Sequence, residues 1–84
     1  MSNHVDPSEI DVPVIQLGIY QHYKGQKYQV LGTGIDTETK AANIVYRPLY
    51  PSKVPLWIRP FDMFTSDIVV DGVSQPRFTL IEKE

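Results

Sequence analysis

The chain has 84 residues, no cysteine, a formal net charge of -2 and a sequence pI near 5.6. One domain fits in that length and buries only about 60–65% of its unfolded surface, so stability rests on aromatic packing, strand hydrogen bonds or a partner subunit. Disulfides, thiolate metal sites and a cysteine nucleophile are excluded. The acidic balance gives no global attraction to phosphate and favours protein over nucleic acid as a partner. With no secretory signal at the start and no run approaching about 18 apolar residues, the expectation is a cytoplasmic protein without membrane contact.

Residues 1–16 read as an N-terminal extension ahead of a small β domain over 17–84. Asp6-Pro7-Ser8-Glu9 has the pattern of a helix start, with an N-cap, proline first and glutamate third, and at most one turn follows. Asp11-Val12-Pro13-Val14-Ile15 is apolar enough to lie along a groove or sheet edge; a loose tail is the alternative.

Leu17 to Tyr23 predicts a first strand, with Leu17 and Ile19 on one face and Tyr20 and His22 on the other. Lys24-Gly25-Gln26 supplies a turn, and Lys27 to Gly32 a second strand that pairs with the first as a hairpin or sits as its neighbour in a sheet. The polar stretch from Ile35 to Asn43 predicts a compact loop, because its Asp and Thr side chains can bond nearby backbone N–H groups. Asn43 to Tyr50 follows as a third strand, with Pro48 marking a bulge or an exposed edge.

Leu56-Trp57-Ile58-Arg59-Pro60-Phe61-Asp62-Met63-Phe64 holds the only Trp and two of the three Phe. Period-2 alternation predicts that Leu56 and Ile58 face the core while Trp57 and Arg59 share the other side, where ring and guanidinium can stack. The plainer alternative makes Trp57 the cap of a small core with Arg59 over its ring. Pro60 ends the strand, and Phe61 and Phe64 fit one tight helical turn folded back onto the core. Asp71-Gly72 joins Ser66–Val70 to Val73–Phe78 as a hairpin, since both central positions need positive φ. Arg77 to Ile81 closes the domain and Glu82 to Glu84 reads as a solvated end. Five to six short strands joined by tight turns predict an all-β fold, an SH3-like barrel or a sandwich, because closure hides strand edges.

Tyr20, His22-Tyr23-Lys24-Gly25, Tyr28-Gln29-Val30-Leu31-Gly32, Glu38, Val45-Tyr46, Leu49-Tyr50, Leu56-Trp57-Ile58-Arg59-Pro60, Met63-Phe64, Gly72 and Pro76-Arg77-Phe78 occur together in one order and spacing. In these residues the chain resembles DUF1653, a bacterial domain family of unknown function, from Gly18 to Phe78. The resemblance implies a short, mainly β bacterial protein with no assigned activity. Where that family commonly has His-Ser-Glu-Thr, this chain reads Asp36-Thr37-Glu38-Thr39, so chemistry resting on that His would not carry over.

The residues support a non-catalytic interaction module binding a protein or nucleic-acid ligand through Tyr20, His22, Glu38, Tyr46, Trp57, Arg59 and Arg77. An aromatic patch beside Arg47, Arg59 or Arg77 can stack a base or dock a peptide; the competing view is that the Tyr rings only extend the core. The alternative is a small enzyme with His22 and Glu38 as acid/base residues, should the loop fold over the first strand. No nucleophile motif, phosphate-cradling glycine loop or paired-carboxylate signature accompanies that pair. A metal held by His22, Asp36 and Glu38 lacks close ligand spacing, so neither metal nor cofactor is expected. Homo-oligomerisation is left open.

Overall fold

The computed structural model describes residues 11–84, which form strands β1 (Gly18–His22), β2 (Lys27–Ile35), β3 (Ala42–Pro48) and β4 (Trp57–Pro60), helix α1 (Phe61–Phe64), and strands β5 (Asp67–Val70), β6 (Val73–Pro76) and β7 (Phe78–Lys83). A five-stranded antiparallel sheet runs in the order β4-β3-β2-β1-β7, and β5 and β6 form a separate two-stranded sheet. The helix start expected at Asp6 to Glu9 lies outside the described residues.

The domain is mostly β, as the alternation predicts, but it does not close into a barrel: β4 and β7 are the two edges of an open sheet. Pro60, which has no N–H for a further ladder, ends β4 and hands the chain to α1. The segment after Phe64 gives three strands, which brings the count to seven where five or six were expected. Asp71 (φ 51) and Gly72 (φ 78) both take positive φ in the β5–β6 turn, the geometry that a two-residue hairpin requires. Glu82 to Glu84 are exposed, as a solvated end requires, and Glu82 and Lys83 nonetheless belong to β7: Gly18 pairs with Lys83, and the Glu84 N–H donates to the Leu17 carbonyl at 3.0 Å.

One face of the large sheet carries the core, made of Tyr20, Val30, Ile44, Tyr46, Phe64 and Phe78, with Phe64 delivered from α1. Phe64 stacks on Phe78 at 4.0 Å between ring centroids and meets Tyr20 and Tyr46 edge-on. Residues 11–17 run against this sheet: Ile15 and Leu17 pack on the core, Thr33 Oγ1 donates to the Pro13 carbonyl, and the Tyr20 hydroxyl donates to the Gln16 carbonyl at 2.7 Å. The groove-lying alternative for Asp11 to Ile15 is the one observed.

The facing of β4 is the reverse of the expected one. Arg59 pairs with Ile44 and Trp57 with Tyr46, and directly opposed residues on neighbouring strands share a face. Ile44 and Tyr46 are 0% and 4% exposed, so Trp57 and Arg59 point to the core side while Ile58, 68% exposed, and Leu56 point away. Alternation alone defines two faces; it takes the partner strand to say which is covered.

Candidate functional site

Because every pairing in the large sheet is antiparallel, the end of β1, the start of β2, the end of β3 and the start of β7 lie together, while β4 begins further in, Trp57 sharing a row with Tyr46, Val30 and Gly18. The turn 23–26 and the loop 49–56 therefore cap one end of the sheet, and the loop 36–41 caps the other.

Phe78 is the hub of the first end. The His22 ring meets it edge-on at 4.9 Å, Tyr28 and Tyr46 approach at 6.0 and 5.8 Å, and the Arg59 guanidinium lies over it at 5.3 Å. Arg59 Nε also donates to the Tyr46 hydroxyl at 3.3 Å. The expected stack of Arg59 on Trp57 is thus replaced by a stack on Phe78. Arg77, immediately before β7, has its Nε 3.5 Å from Ser66 Oγ and its N–H bonded to the Ser66 carbonyl. The partners of Arg59 and Arg77 are a hydroxyl, a ring, a serine and a carbonyl, with no carboxylate among them.

His22 Nδ1 accepts the Lys24 N–H at 3.2 Å, which leaves Nε2 as the outward-facing nitrogen of the ring. Burial holds the imidazole pKa below its ordinary value, and the positive charges of Arg59, Lys24 and Arg77 push it the same way. The Tyr28 hydroxyl shares a 3.0 Å hydrogen bond with Tyr50, and burial together with that bond pushes the Tyr28 phenol up to about 12.

Of the residues expected to form the site, His22, Tyr46, Trp57, Arg59 and Arg77 come together here. Tyr20 and Tyr46 are core residues, 8% and 4% exposed, with the Tyr46 hydroxyl committed to Arg59 and the Tyr20 hydroxyl to Gln16. Glu38 is elsewhere: it lies in the loop beyond Ile35, and the nine residues of β2 stand between it and the end where His22 sits. Glu38 is not among the charged groups that act on the His22 imidazole, which are Arg59, Lys24 and Arg77. Asp36 instead organises the loop, its Oδ1 accepting the N–H groups of Glu38 and Thr39 at 2.8 and 3.0 Å, which lowers its carboxyl pKa. Among the described residues no three His, Asp or Glu side chains are grouped to hold a metal ion.

Further cations, which the sequence pattern does not single out as one group, complete the basic end. Lys24 lies in the first turn, Lys27 opens β2, Arg47 is next to last in β3 and Lys53 is in the loop 49–56. With Arg59 and Arg77 these make six of the eight Lys and Arg residues of the chain. The opposite end carries Asp36, Glu38 and Lys40 in its loop and Asp62 after β4, whereas Glu82 lies in the cross-strand row of Ile19, Gln29 and Arg47, and Lys83 in that of Gly18, Val30, Tyr46 and Trp57. A cleft of about 460 Å³ at that acidic end is bordered by Asp11, Lys40, Ala42, Pro60, Phe61 and Asp62. Asp67, opposite Pro76, is the described carboxylate standing next to the basic end. The loop 49–56 and the first residue of β4 add a run of exposed apolar side chains, Leu49, Tyr50, Val54, Leu56 and Trp57.

A small open antiparallel β domain with one basic, aromatic end is the class these features define. The chain belongs to the DUF1653 family, described as a protein of unknown function, whose pattern it matches over residues 18–80. It is also similar to a crystal structure of a DUF1653 protein from Bordetella bronchiseptica, at 31% identity and a TM-score of 0.75, over 80% of this chain and 87% of that one. No curated protein matches this chain.

Proposed function

We propose that the domain is a non-catalytic interaction module that takes an anionic ligand at the basic end of the large sheet. The supporting observation is a group of cations in a chain of net charge -2: Arg59, Lys24 and Arg77 surround His22, with Arg59 and His22 both on Phe78, and Lys27 and Lys53 stand in the neighbouring strand start and loop, beside exposed apolar and aromatic groups. Like charges held together raise the energy of the free protein, and an anion bound there offsets it. Glu38 stands in the loop beyond Ile35, past the end of β2 remote from Lys27, which weighs against the enzyme reading with His22 and Glu38.

Retention on a heparin matrix tests this reading with two variants of equal net charge. Lys24→Glu reverses an exposed charge at the basic end, and Lys40→Glu reverses one in the loop 36–41 at the other end. The first variant is expected to pass unretained while the wild type and the second are held at low salt. Failure of the wild type to bind, or equal loss in both variants, would contradict the proposal.

A further inference from the structure

We infer that the anionic ligand is single-stranded nucleic acid, with phosphates on Lys24, Lys53, Arg59 and Arg77 and bases stacked on Trp57 and Tyr50; this rests on the preceding reading and names its ligand. Four observations favour it over an acidic protein segment. Trp57 and Tyr50 are 40% and 38% exposed, and they flank the two ends of the loop that carries Lys53. Tyr50 is held by a hydrogen bond to Tyr28 and an edge-on contact with the same ring at 5.6 Å, so its position is set before a ligand arrives. Trp57 stands directly opposite Tyr46 across the β3–β4 pair. The arginines are likewise preplaced, Arg59 on Phe78 and Arg77 on Ser66, so little side-chain freedom is lost when they meet a phosphate. Flat rings interleaved with cations are what a single strand offers both of its parts to, since every base has a stackable face and every phosphate a charge. A duplex hides its base faces and would use the charges alone.

Trp57 is the only tryptophan, so its emission reports on stacking directly. The intact chain is titrated with an oligouridylate of about ten nucleotides, within the usual span of such sites, and in parallel with polyglutamate. Oligouridylate is expected to quench Trp57 and to bind more tightly than polyglutamate. Raising salt about fourfold is expected to weaken binding about fiftyfold, the response of roughly four phosphate contacts on a single strand. By anisotropy of a labelled strand, Tyr50→Leu and Trp57→Leu should each lower affinity about fivefold or more, and Trp57→Phe should retain most of it. If oligouridylate binds no better than polyglutamate and leaves Trp57 emission unchanged, the nucleic-acid inference falls and the anionic-ligand reading stands. If neither polymer binds at low salt, both fall.

Discussion

His22 rests on Phe78 with Arg59, Lys24 and Arg77 near enough to oppose its protonation, so charging it is harder in the folded domain than in the unfolded chain. The unfolded state therefore binds more protons as pH falls below about 6.5, and the native state loses stability there. Urea midpoints measured against pH should decline on the acid side, and His22→Gln should flatten that decline. An anion bound at the same end reverses the sign for the ligand: it raises the His22 pKa, so binding tightens as pH is lowered, which an imidazole proton titration with and without oligouridylate would display. Arg59 belongs to the fold as much as to the site. Its contacts with Phe78 and the Tyr46 hydroxyl predict that Arg59→Ala costs about 1–2 kcal/mol in urea unfolding, which is why exposed lysines make the cleaner binding variants. Trp57 and Arg59 were legible as residues of consequence from their chemistry. Their real neighbours, Tyr46 and Phe78, were not, because those come from strands distant in sequence.

Among the elements, α1 shows how little local structure is needed once packing takes over. Four residues are too few to be helical alone; Phe64, 1% exposed and stacked on Phe78, holds the turn in place. Phe64→Ala is expected to cost about 3–5 kcal/mol by chemical denaturation and to release α1 from the sheet. The Phe61 and Phe64 spacing and the Asp71-Gly72 turn were readable because both signals are local. The sign of β4 was not, since a four-residue strand takes its facing from β3, and the openness of the sheet followed from pairings that no single strand announces. At β1, Gly18 has φ 149, and a Cβ there would lie 2.2 Å from the Glu82 carbonyl oxygen. Gly18→Ala should force β7 away from β1 and destabilise the domain by about 1–3 kcal/mol, measurable as a lowered urea midpoint.

For the molecule as a whole, net charge concealed the feature that matters most. Successive hairpins in a meander place their loops at alternate ends, so cations in the turn 23–26 and the loop 49–56 meet, while the carboxylates of loop 36–41 go to the far side. That alternation is implicit in the order of the strands along the chain, whereas total charge carries no trace of it. A pI near 5.6 pointed away from polyanions because it averages over the whole chain and carries no trace of the cations grouped around His22. The measurement that bears most directly on this account is amide chemical-shift mapping of the intact chain during addition of oligouridylate at low salt. Shifts concentrated at residues 22–27, 49–59 and 77–78, and fading as salt is raised, are the predicted result. Shifts centred on residues 36–41 and 82–84, or none above the level seen at high salt, would contradict it.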